Sequence, residues 1–183
     1  MKGAHAVLGS LEGKVASVMV TQLKTLQQDE VAMRAGFSAL GAVAASGAAG
    51  CAQVAATDAG VMAAEWLDEN MEDGSPQSVS AALRVLAGMA SDTSGIENAK
   101  KVGAVDAAKS ALSMICMDEA NPEVLRSAVA ILSNMAKQGA TEAHELSKSG
   151  ALRRVMRAVA QHQEYLQDAG CAMDVMNLVS LAC

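Results

Sequence analysis

Aromatic side chains are nearly missing from this sequence: one Phe, one Trp and one Tyr stand among 183 residues. Strand-rich cores draw on Tyr, Phe, Ile and Thr, so the shortage argues against a sheet protein. The four cysteines, Cys51, Cys116, Cys171 and Cys183, include no C-x-x-C pair, and His5, His144 and His162 form no H-x-x-H. Zinc sites and dithiol redox motifs therefore lack their ligand spacing. Cys171 reads as a small core residue, the usual habit of a free thiol. The histidines read as surface helix residues. No two glycines are spaced i, i+2, which removes dinucleotide and phosphate loops. Gly9-Ser10-Leu11-Glu12-Gly13 copies the composition of a nucleophile elbow without the strand that must precede it. We expect no enzyme, no cofactor and no metal.

Other absences bear on partners and compartment. No run of eighteen apolar residues occurs, so no membrane-inserted helix is expected. Glu12 and Lys14 follow Met1–Leu8 before a signal-peptide core is complete. Basic residues number 14 against 20 acidic, giving a net charge of −6 and a pI near 5.0, which argues against nucleic acid as a partner. The cysteine usage fits a reducing, intracellular compartment, the cytoplasm or an organelle.

What is plentiful is small and flexible apolar surface: 51% hydrophobic residues, twelve of them Met. Ala-rich segments suit closely packed helices. The clearest is 121–136. Asn121 can cap and Pro122 fits the first helical position. Val124, Ala128, Ile131 and Met135 then share a face, with Leu125, Val129 and Leu132 beside it. That stripe is wider than one neighbour requires. The same pattern stands at Ser75-Pro76 with Ala82, Leu86 and Ala90, and at Asp29-Glu30 with Gly36, Leu40 and Ala44.

A second ladder runs beside the first. Gly13, Gly60, Gly103 and Gly150 precede helical segments at Lys14–Leu23, Val61–Met71, Ala104–Ile115 and Ala151–Val159. Short helical pieces are expected at Ala52–Thr57, Ile96–Val102 and Thr141–Ser147, and polar loops at Gln27–Asp29, Glu72–Ser75 and Asp118–Asn121. The Gly-rich run 41–50 reads as a helix end and tight turn, the loosest part of the chain. The spacing thus predicts a single repeat domain over 1–183, with units at about 1–48, 49–93, 94–138 and 139–183. A period of this length with two or three helices is that of HEAT and armadillo arrays. One such unit cannot bury a helix that is apolar on two sides, whereas stacked units can. Small residues at 36, 82, 128 and 171 would let adjacent helices approach closely.

The segments Ser149-Gly150-Ala151-Leu152-Arg153-Arg154-Val155 and Ala128–Ala136, with its Leu132-Ser133-Asn134-Met135-Ala136, resemble the armadillo repeat family. The resemblance spans nearly the whole chain and implies an all-α, right-handed superhelical solenoid of about four three-helix repeats. It also implies that the third helices line a concave groove, where an Asn holds the backbone of a bound peptide. Those positions are Asn134 and Asn177, with Gly88 and Ala42 in the earlier units. The Trp that importin-α-like members carry four residues earlier is replaced by Ser38, Arg84, Ala130 and Met173, so binding of nuclear-localisation signals is not implied.

Charge adds two expectations. Arg34, Arg84, Arg126 and Lys137 make the groove positions basic, suited to carboxylates. With Ser38, Asn134, Met173 and Asn177 they form the candidate site for an extended, acidic partner segment. The unit at 49–93, by contrast, has seven acidic residues and one basic. Glu65, Asp68, Glu69 and Glu72 recur three or four apart on one helix face, either solvated or a patch for a basic partner. Arg153, Arg154 and Arg157 fall on an outward second helix. The last segment, Val175–Cys183, is an apolar helix without a polar cap. The expected function is a non-catalytic protein-interaction scaffold. The alternative is a structural subunit of a large complex, of ciliary or mitochondrial type, that uses outer and end surfaces or self-associates through them.

Overall fold

The computed structural model describes residues 14–115, 121–167 and 169–182, all of it helix and connecting turn with no strand among them. The α-helices are α1 Val15–Thr25, α2 Glu30–Ala45, α3 Ala48–Ala55, α4 Ala59–Asn70, α5 Pro76–Met89 and α6 Thr93–Lys101. They continue as α7 Ala104–Ile115, α8 Pro122–Ala136, α9 Ala140–Lys148, α10 Ala151–Gln161 and α11 Ala169–Ala182, with a 3-10 turn at Gln163–Gln167.

Local chemistry fixes where the long helices start. Asp29 accepts a hydrogen bond from the Ala32 amide at 3.0 Å, Ser75 from Ser78 at 3.3 Å, and Asn121 from Glu123 at 2.9 Å. Each cap contributes about 0.5–2 kcal/mol. Pro76 and Pro122 occupy first-turn positions, where a missing N–H costs nothing. Gly103 and Gly150 adopt φ of +76° and +78° ahead of α7 and α10, a conformation that suits glycine.

The helices pack in a serial order. α2 lies on α5, α5 on α8, and α8 on α11; α4 meets α7, and α7 meets α10. α5 and α8 are buried around most of their circumference, and Leu83, Leu86, Leu125, Ile131, Leu132 and Met135 are fully enclosed. The wide apolar stripe is thereby accounted for, since each of these helices is covered on two sides. Polar contacts stitch α2 to α5, α5 to α8, and α3 to α6. Glu30 accepts from the Ser75 amide, the Ser80 and Ser127 hydroxyls meet at 3.2 Å, Asn98 donates to the Ala55 carbonyl, and Asn134 donates to that of Ala87.

Several sequence expectations change on this framework. The expected helix end and turn stand in the 41–50 run, which is otherwise helical. Gly41 is buried inside α2, Gly50 inside α3, and only Ser46-Gly47 turns, with Gly47 at φ +126°. Gly60 lies within α4, packed near Met89, and does not form a turn. The Thr57 hydroxyl supplies that helix start by accepting from the Ala59 amide. The short helices begin earlier than expected, at Ala48, Thr93 and Ala140. His162 is no surface helix residue: it ends α10, half-buried, with Nε2 3.3 Å from the Ile115 carbonyl oxygen. His144 is exposed on α9. Cys171 is buried as expected, and so is Cys51, whose thiol donates to the Met89 carbonyl. Burial pushes the Cys51 thiol pKa up and keeps it protonated. His5, Gly13, Cys116, Cys183 and most of the 118–121 loop lie outside the described residues.

Candidate functional site

Two surfaces carry the residues that the sequence singles out. The first is formed by α2, α5, α8 and α11. Arg84 and Arg126 are exposed there, and Met173 is 60% exposed. Arg34, Ser38, Asn134 and Asn177 are half-buried. The row 42, 88, 134 and 177 is not evenly open to solvent. Gly88 is enclosed, because a Cβ there would stand 2.6 Å from the Cβ of Ala44. One position of the same row in α8, Asn134, spends an amide N–H on the Ala87 carbonyl at 3.1 Å.

Lys137 is likewise engaged. Its Nζ lies 3.7 Å from Asp174 on α11, and Asp174 also accepts a hydrogen bond from the buried Ser133 hydroxyl at 3.4 Å. Sequence reasoning missed Asp174. No local pattern signals it, because its partners Ser133 and Lys137 are known only once α8 is laid on α11. Glu30, at the start of α2, sits below the usual carboxylate range because the Ser75 and Ser78 hydroxyls and the Ser75 amide donate to it. Arg34 lies one turn further along the same helix. Two basic residues of this surface thus stand beside carboxylates: Lys137 beside Asp174, and Arg34 near Glu30.

The second surface is the acidic one. The side chains at 65, 68, 69 and 72, with Asp73, line one wall of an open cleft of about 830 Å³ between α4 and α7. Asp106 stands on the α7 side and Arg154 of α10 at the rim. Half-buried Met71, Val102 and Met114 supply apolar lining. Two acidic residues of the same stretch are used elsewhere: Asp58 pairs with Lys24, and Asp92 caps α6. The Ser94 amide and hydroxyl hold Asp92 below its ordinary pKa. None of the five carboxylates on the α4 wall has a cation partner among the described residues.

Among the described residues no three His, Cys, Asp or Glu side chains could hold a metal ion, and no buried side-chain polar atom is left without a partner. No described helix is long and apolar enough to cross a membrane. No family model, curated protein or solved structure matches the chain.

Proposed function

We propose that this chain is a non-catalytic protein-interaction scaffold of the armadillo-like kind, a solenoid of about four three-helix repeats. The observation that carries the reading is the serial packing of α2, α5, α8 and α11, helices that begin at residues 30, 76, 122 and 169. Interhelix polar bonds such as Asn134 to Ala87 and Ser80 to Ser127 support it, since each spans about one interval of that series. Stacked units of this sort present long surfaces built from equivalent helices.

In this reading the third helices accept an extended acidic segment. Arg84 and Arg126 fork its carboxylates, Arg34 adds charge, and Asn177 bonds its main chain. Met173 and Ser38 give adaptable contact, and Lys137 joins only by releasing Asp174. Asn134 keeps one amide N–H for a ligand. The test is fluorescence anisotropy with a labelled, unstructured Glu-rich peptide. Arg84→Ala with Arg126→Ala should weaken binding about tenfold, as loss of one or two charge-assisted contacts does, and flatten its salt dependence. Unchanged affinity and salt slope would remove this surface as the binding site.

A second reading, a structural subunit in a large assembly, is favoured by a different observation. α11 exposes Met173, Met176 and Leu181, with Met176 68% accessible. Apolar side chains in such a cluster are commonly covered by another protein. Sedimentation of the purified chain separates the two: a monomer at micromolar concentration supports the free scaffold, and association lost on Met173→Ser with Met176→Ser supports the subunit.

A further inference from the structure

The cleft between α4 and α7 is left unused by the third-helix reading, and it stands independently of that reading. It combines three properties. Its lining is apolar in part, through half-buried Met71, Val102 and Met114, and methionine adapts its shape to varied side chains. Its rim carries Glu65, Asp68, Glu69, Glu72 and Asp73 with no cation partner among the described residues, whereas Asp58, Glu97, Glu142 and Asp174 each meet a lysine.

The third property is local cost. Glu65 and Glu69 are like charges four apart within α4, a spacing that weakens a helix, and Glu72 follows in the turn just after it. Glu65, Asp68 and Glu69 also fall in the C-terminal half of α4, the end where the helix dipole disfavours negative charge. Local preference is violated twice on one face, as happens where a surface serves something other than the fold.

We propose that this cleft docks a basic, amphipathic segment of a partner protein. Lysine or arginine side chains meet the carboxylate rim while apolar side chains rest against Met71 and Met114. The carboxylates are too dispersed for one ion, since no group of three among the described residues could hold a metal. A chain with several cations along its length matches them, and the apolar lining selects one that also presents hydrophobic anchors. Arg154, the one basic residue of the lining among the described residues, repels cations, so the basic part of the segment lies on the carboxylate side.

The test uses the full chain and two fluorescein-labelled peptides of equal Lys and Leu content at physiological ionic strength. One has its leucines at helical spacing on a single face; the other has them dispersed. The first should bind, and the second at least about tenfold more weakly, because only the first can combine charge with anchoring. Asp68→Lys with Glu72→Lys should weaken the first peptide about tenfold, while the same charge change at Glu123 and Glu145 should alter it less than about twofold. Asp68→Asn with Glu72→Gln, which leaves α4 without reversed charge, should weaken it in the same direction by a smaller factor. Circular dichroism checks that each variant is folded. Failure of both peptides to bind overturns the proposal, as does equal binding of the two or equal loss in the control variant. Self-association of the free protein that the Asp68 and Glu72 changes abolish also overturns it, by making a second copy the occupant. Binding of the Glu-rich peptide to the third-helix surface is unaffected by any of these outcomes, so the two proposals fail separately.

Discussion

The side-chain amide of Asn134 on α8 donates to the main-chain carbonyl of Ala87 on α5 at 3.1 Å. The bond joins successive long helices where both are half-buried, and it helps set their register. Asn134→Ala should therefore leave the Ala87 oxygen with one partner fewer. The expected loss is about 1 kcal/mol, the usual net worth of such a bond, with a larger value if water cannot replace the amide. Urea denaturation followed by circular dichroism measures it. An unchanged midpoint would mean that this contact contributes nothing to the packing of α5 on α8.

The preceding pair of helices is held differently. α2 and α5 cross where Gly88 faces Ala44 and Gly41 faces the backbone of Arg84, so the main chains come close with no side chain between them. A Cβ on Gly88 would lie 2.6 Å from that of Ala44. Gly88→Ala gains helix propensity of about 1 kcal/mol, yet overpacking costs about 1–3 kcal/mol, and a contact that short puts it at the upper end. The variant should be destabilised overall. Pairing it with Ala44→Gly should restore part of the loss, a coupling that a double-mutant cycle reads directly.

These two positions show what the sequence could and could not disclose. The helix starts were legible because Asp29, Ser75-Pro76 and Asn121-Pro122 act through their immediate neighbours. The repeating apolar stripe was legible because its period is a property of one helix. Gly88, however, reads in sequence only as a departure from Asn, and its close packing on Ala44 exists only once α2 and α5 are crossed. Phe37 and Trp66, the one Phe and one Trp, meet edge to face at 5.9 Å between α2 and α4, a pairing no local pattern announces. The acidic face of α4 was visible, but the cleft was not, since Asp106, Val102 and Met114 reach it only through the packing of α4 against α7.

Acid and base should erode stability through named pairs. Hydrogen bonds from the Ser75 side chain to Glu30 and from Lys100 to Glu142 hold both carboxyls below their ordinary pKa. Each then contributes stability that is present above the unfolded value, about 4.3, and is lost as pH falls through the lower folded one. Lys100 is raised, first by Glu142 and then by Glu97. Its contribution is full below its unfolded pKa of about 10.4 and is lost as pH rises through the folded value. Thermal unfolding across pH should show a plateau between these limits. Glu142→Gln should lower the plateau and blunt the alkaline fall, and a profile identical to that of the parent would exclude the pair from the pH response.

Salt should have the opposite sign from the one expected of a protein held by ion pairs. The Lys24–Asp58 pair is exposed on both sides, and exposed pairs contribute little. The α4 wall instead concentrates repulsion: Glu65 and Glu69 stand one turn apart in α4, and Glu72 and Asp73 follow in the turn after it. Like-charge pairs at these spacings cost roughly 0.2–0.5 kcal/mol each, and salt screens them. Modest sodium chloride should then raise the melting temperature. Glu69→Gln should raise it at low salt by relieving the pair with Glu65, and the gain should shrink as ionic strength rises. Titration of the parent and the variant side by side decides the matter. If salt lowered both midpoints equally, attraction and not repulsion would dominate this surface, and the strain assigned to α4 would be absent.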